Sequence, residues 1–147
     1  MFFEYKRYRV ERGPSIRRPI IPIVIHNPRA PLAYPIRSIG CEALVDSGSD
    51  YCIFPSEIGE LIGIDVTAGK RQLISGVVAG ESRPIYFHVV ELSFEPGARF
   101  EAWVAFMPEL SSNGHAILGQ HSFFSRVSFV KFQAHRSKLE IGKIVGA

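Results

Sequence analysis

Residues 41–55 read Cys-Glu-Ala-Leu-Val-Asp-Ser-Gly-Ser-Asp-Tyr-Cys-Ile-Phe-Pro. Ala43, Leu44 and Val45 form a short apolar run of the kind that makes a buried strand. The run ends on a carboxylate, Asp46, followed by Ser47, Gly48 and Ser49, and apolar side chains resume at Ile53 and Phe54. An ionised carboxylate between two apolar segments is costly to bury. A chain tolerates it where a site uses it, or where backbone N–H groups and hydroxyls satisfy it. Gly48 permits a tight turn with a close backbone approach. Ser47 and Ser49 each bring a donor and an acceptor. The pattern marks Asp46 as a candidate catalytic acid/base, although Asp-Ser-Gly alone also describes an aspartate that caps its own turn.

Working outward, the chain reads as short strands separated by turns. Toward the N-terminus, Ile20–Ile25 form a strand in which Pro22 marks an edge or an interruption. Residues 27–35 hold Asn27, Pro28, Pro31 and Pro35 and form a loop. Toward the C-terminus, a short helix is expected over about Glu57–Ile62, ended by Gly63. Gln72–Leu92 read as a long hairpin centred near Val77–Ser82, and Phe100–Phe106 as a further strand. His115–Leu118 lead into a second short helix around His121–Arg126. Strands follow at Ser128–Gln133 and Lys138–Ile141. The expectation is an all-β, closed barrel-like fold with one or two short helices.

Three elements in this order carry a family resemblance. The first is Leu44-Val45-Asp46-Ser47-Gly48-Ser49. The second is Leu73-Ile74-Ser75-Gly76-Val77-Val78-Ala79-Gly80, a glycine-bearing hairpin. The third is Ala116-Ile117-Leu118-Gly119-Gln120. Together they resemble the retropepsin-like aspartic proteases, the single-domain relatives of pepsin, over roughly residues 20–142. The resemblance divides the chain into an N-terminal extension, residues 1–18, and a protease domain, residues 19–147. It implies Asp46 as the catalytic residue, with Ser47, Gly48 and Ser49 supporting the turn. Asp50 corresponds to a position that contacts the substrate main chain. Ser75, Gly76, Val77 and Val78 of the flap and Ile117 would line the substrate groove.

That chemistry needs two carboxylates around one water, one ionised as base and one protonated as acid. The chain holds one such motif, because Asp50 and Asp65 lack the following hydroxyl residue and glycine. A second copy of Asp46 is therefore expected from a two-fold homodimer. By the resemblance, Ser47 would hydrogen-bond across the interface, and strands Ser128–Gln133 and Lys138–Ile141 would help to build the dimer sheet. The implied activity is cleavage of peptide bonds in a peptide or protein substrate, without cofactor or metal. The alternative is a catalytically silent module of the same fold that holds a protein or nucleic acid. The sequence departs from the viral pattern at Gln120, where an arginine would brace the active-site loop; Arg126 or Arg37 could take over that task. Ser47 replaces the commoner threonine.

Composition narrows the remaining classes. At 147 residues and 46% hydrophobic the chain suits one globular domain. No apolar run reaches the ~18 residues of a membrane span. The N-terminus lacks the order of a signal peptide, so a cytoplasmic location is expected. Cys41 and Cys52 read as reduced thiols. His88, His115 and His121 fit no ligand spacing, and no Gly-x-Ser-x-Gly elbow supports a serine nucleophile. Phe123, Phe124, Phe129 and Phe132 are expected in core or dimer packing, and Trp103 on a sheet face. The net charge of +3 is uneven. Residues 1–20 carry +4 from Lys6, Arg7, Arg9, Arg12, Arg17 and Arg18 against Glu4 and Glu11. This arm is either a solvated extension or a contact for nucleic acid, an acidic partner or a membrane surface.

Overall fold

The computed structural model describes residues 1–8, 12–75, 80–110 and 114–146. Strands dominate. In chain order they are β1 (Phe2–Glu4), β2 (Lys6–Tyr8), β3 (Ile16–Arg18), β4 (Ile20–His26), β5 (Ser38–Val45), β6 (Ile53–Pro55), β7 (Lys70–Ser75), β8 (Ser82–Glu95), β9 (Ala98–Met107), β10 (Ala116–Leu118), β11 (Val130–Gln133) and β12 (Lys138–Ile141). Helix α1 (Ser56–Leu61) follows β6, and Gly63, at φ 83°, turns the chain just past its end.

The main sheet runs β4-β5-β10-β6-β9-β8-β7, and β4 also pairs with β8. That last pairing, Val24↔Ser93 to His26↔Glu91, closes the sheet into a barrel. Pro22 faces Glu42 of β5 on one side and lies before the β8 pairing begins at Val24, so its missing N–H costs no ladder bond there.

The long strand β8 decides how the two faces of the sheet are used. Ile85 and Phe87 are buried, and so are Val90, Leu92 and Phe94. Odd and even positions point to opposite faces. The first half of β8 therefore packs on one face and the second half on the other. Val90, Leu92 and Phe94 join the barrel core with Ile21, Ile23, Val45, Phe54, Phe106 and Leu118. Ile85 and Phe87 form a smaller cluster with Ile53 and Ala105, against which Tyr51, Ile74, Trp103 and Ile117 pack. Trp103 lies on this second face as expected, stacked on Phe87 with centroids 3.9 Å apart.

A separate sheet runs β1-β12-β11. The extension expected at residues 1–18 thus carries its first strand into the body: Phe2–Glu4 pair with Glu140–Lys138. Both edges of β12 are occupied within one chain. Phe123 is fully buried and Phe124 packs on the core, whereas Phe129 and Phe132 are exposed. The strand expected from Ser128 starts at Val130.

The helix expected around His121–Arg126 is instead a turn followed by a single 3-10 turn at Phe124–Arg126. Ser122 sits at φ 74°, a left-handed conformation that a right-handed helix cannot contain. Two bonds hold it there. Its hydroxyl accepts from the Trp103 N–H at 3.0 Å, and its own N–H donates to Ser125 Oγ at 3.1 Å. Tertiary bonding overrides the local pattern. The centre of the expected hairpin, 76–79, lies outside the described residues.

Candidate active site

Strand β5 delivers Asp46 to the sheet end, and β10 lies beside it. β10 runs parallel to β5, with Leu118 opposite Val45, and antiparallel to β6, with Ile117 opposite Ile53. The Asp46 N–H donates to the Leu118 carbonyl at 3.0 Å. The turn and the end of β10 are thereby locked together. The chain crosses so closely here that Gly119 has no room for a side chain: a Cβ would run into the Tyr51 carbonyl oxygen and stand 2.6 Å from that of Ser49. Only glycine permits this approach.

The turn is tied by its own backbone. The Gly48 N–H donates to Asp46 Oδ1 at 2.9 Å, and the Ser49 N–H to the Asp46 carbonyl at 3.2 Å. Ser49 Oγ donates to the Tyr51 carbonyl at 2.8 Å. From the other side, the Gln120 N–H donates to the Ser49 carbonyl at 2.8 Å and the His121 N–H to that of Asp50 at 2.9 Å. Gln120 Nε2 donates to the Ser47 carbonyl at 2.8 Å. Gln120 thus braces the turn from the position after the late glycine. Neither arginine considered for that task reaches it. Arg126 donates to the Glu101 and Val145 carbonyls, and Arg37 to that of Pro28.

Asp46 is half-buried, and its carboxylate opens into a groove of about 590 Å³. Gly48, Ser49, Asp50, Ser75 and Ile117 line the same groove. Ser47 lies exposed on the turn and outside the lining. Gly76, Val77 and Val78 lie outside the described residues. The groove also takes in Tyr51, Ile53, Gln72, Leu73 and Ile74, which sequence reasoning did not single out. The signal for Tyr51 was its place directly after Asp50. For β7 it was the alternation of its side chains. Tyr51 is fixed from below by edge contacts to Phe87, at 5.0 Å, and Trp103, at 6.4 Å, and its hydroxyl accepts from Gln72 Nε2 at 3.4 Å. Apolar Ile53, Leu73, Ile74 and Ile117 and the carboxylates Asp46 and Asp50 line the same groove.

Cys52 lies behind the turn, fully buried. It receives the Gly119 N–H at 3.4 Å and donates to the His121 carbonyl at 3.4 Å. Burial pushes its thiol up to about 12, against a smaller opposing pull from the Gly119 N–H. Burial, helped by neighbouring Glu42, also pushes Cys41 up to about 12. Both are free thiols, and both stay protonated at neutral pH. Among the described residues no three His, Cys, Asp or Glu side chains gather as a metal ion would need.

The chain overlays a retropepsin-like aspartic protease from Rickettsia conorii with a TM-score of 0.53, covering 83% of this chain and 80% of that one at 15% identity. The fold is retropepsin-like. A second match, the EIAV protease complexed with the inhibitor HBY-793, covers 77% of this chain and 86% of that one, also at 15% identity, with a TM-score of 0.46. No protein-family profile matches the sequence, and neither does any curated protein sequence. In this chain the Asp46 turn follows β5 beside β10 and β6, and residues of that turn and of β7 line the groove.

Proposed function

We propose that this chain is an aspartic endopeptidase whose active site forms between two copies, each contributing Asp46. One observation carries the reading. The single Asp-Ser-Gly turn is held rigid from both sides, yet its carboxylate opens into a groove with an apolar floor. A turn aspartate that served only to cap its loop would need no such groove.

In the dyad the two carboxylates share one proton, because like charges about 3 Å apart resist joint ionisation. The ionised member takes a proton from the attacking water. The protonated member hydrogen-bonds the scissile carbonyl oxygen. A tetrahedral diol forms, and the proton passes to the leaving amine as the C–N bond breaks. The Gly48 N–H on Asp46 Oδ1 fixes the carboxylate plane. Ser47, exposed on the turn, faces outward to the second copy. Asp50 holds the substrate main chain, and β7, with Ser75 at its end, lays a strand edge along an extended peptide. Ile53, Ile117 and Leu73 favour apolar side chains beside the cut.

Dimerisation would use the outer edges of the β1-β12-β11 sheet, because β12 itself is covered on both sides. Exposed Phe2, Phe129 and Phe132 mark that region as apolar. The test is incubation with a diverse peptide library between about pH 4 and pH 8, read by mass spectrometry, beside Asp46→Asn. The wild type should cleave and the variant should not, with fold and dimer unchanged. Equal cleavage by the variant would remove Asp46 from the mechanism. No cleavage by either would turn the groove into a binding site only.

A further inference from the structure

The ribbon β2–β3 is built against its own charge. Its register places Lys6 opposite Arg18 and Arg7 opposite Arg17. Two successive cross-strand pairs are therefore cation on cation. Like charges directly opposite each other destabilise a ladder, and a lone two-stranded ribbon has little stability to spare.

The two pairs point to opposite faces. Lys6 forms an ion pair with Glu42 of β5, so the Lys6/Arg18 face is turned to the body. The reverse face carries Arg7 and Arg17, both exposed, and exposed Arg12 follows in the connection between the strands. Among the described residues no carboxylate lies within ion-pair distance of Arg7, Arg12 or Arg17. The rest of the chain, at −1 beyond residue 20, is no polyanion that could neutralise them. The fold compensates one face and leaves the other as a bare arginine face.

We infer that the outer face of the β2–β3 ribbon, Arg7 and Arg17 with Arg12, is a docking surface for the phosphate backbone of a nucleic-acid duplex. A two-stranded ribbon is one of the two elements that the major groove of B-form DNA admits. Arginine forks take phosphate oxygens two at a time. Within the two strands the outer face holds only the two arginines, with no apolar side chain to insert into a lipid surface. Contacts of this kind position the protein without reading sequence. The inference is independent of whether the groove at Asp46 cleaves peptides.

The experiment is fluorescence anisotropy of a short mixed-sequence DNA duplex titrated with the full chain. Three phosphate contacts give a salt slope of about −2.7, so affinity should fall about 40-fold between about 50 and 200 mM salt. Arg7→Gln/Arg17→Gln should weaken binding at least about tenfold at moderate salt and flatten the slope by about 1.8. Arg7→Lys/Arg17→Lys keeps the charge and should keep most of the salt slope, which separates lost contacts from a lost fold. Lys131→Gln, on the other sheet, should bind as wild type. The thermal midpoint of the glutamine variant should not fall, since the repulsion is relieved. Absent binding, salt-independent binding, or equal binding by the glutamine variant would overturn the inference. So would tighter binding to vesicles of anionic phospholipid or to polyglutamate than to the duplex.

Discussion

Gln120 stands where a longer cation would be expected to brace the active-site loop, and it reaches the Ser47 carbonyl with a neutral amide instead. The bond is surface-exposed, so its loss should cost only about 0.5–1.5 kcal/mol of stability. Its effect on positioning should be larger. Gln120→Ala is expected to lower kcat on a cleaved peptide about tenfold or more with little change in Tm, since misplacing a reacting group by an ångström is costly. An unchanged kcat would show that the backbone bonds alone hold the turn. A second residue-scale effect concerns pH. Burial, together with Arg99, holds His26 below its ordinary 6.5, with a smaller opposing pull from Glu91. The unfolded chain therefore binds the proton more readily than the folded one. Stability is lost as pH falls through the 6.5 region toward the lower folded value. His115, lowered by burial and then by Arg18, adds in the same direction. Tm should drop between about pH 7.5 and about pH 5, and His26→Gln should flatten part of that drop. A pH-independent Tm in both proteins would refute this, and any acidic working range of the Asp46 pair would be bounded by it.

The elements around the site are placed by close backbone approaches more than by propensity. Gly119 shows this best, because its neighbours are carbonyl oxygens that cannot rotate away. Gly119→Ala should cost about 3 kcal/mol or more, since relieving the overlap means prising β10 from the Asp46 turn. Denaturant unfolding would measure it, and a loss under about 1 kcal/mol would show that the junction is softer than its geometry implies. The turn at Ser122 shows the complementary case. Its hydroxyl satisfies the Trp103 N–H on β9, and that bond, not helix propensity, sets the path of residues 121–126. Strand β8 adds a third device, burying one parity toward the groove floor and the other toward the barrel core. The same strand thereby links the stability of the barrel to the shape of the groove.

At the scale of the whole molecule, one chain presents one carboxylate turn and an apolar rim on a separate three-stranded sheet. Phe2 on β1 is 70% exposed, and Phe129 and Phe132 are exposed at β11 on the far side of β12, an expensive arrangement for a chain that stays alone. Phe2→Glu/Phe132→Glu should move the protein toward monomer in sedimentation or light scattering. Peptide cleavage should fall in parallel, while the isolated chain keeps its fold because neither side chain belongs to the buried core. A variant that remains dimeric and active would place the association surface elsewhere.

The all-β class, the strands along the chain and the Asp46 turn were legible in the run of short strands and turn signals and in residues 41–55, because alternation and turn chemistry are local. So was the basic character of the first 20 residues. The reach of Gln120, the left-handed Ser122 and the packing of Tyr51 on Phe87 and Trp103 were not, because each depends on partners distant in sequence, 19 to 73 residues away in the case of the hydrogen bonds. The register of β2 on β3 was equally hidden. Sequence supplied six cations. Only the fold decided that four of them face each other in pairs, with one pair turned toward Glu42 and the other toward solvent. Local pattern fixes which residues form strands; pairing across distance fixes which charges must then live side by side.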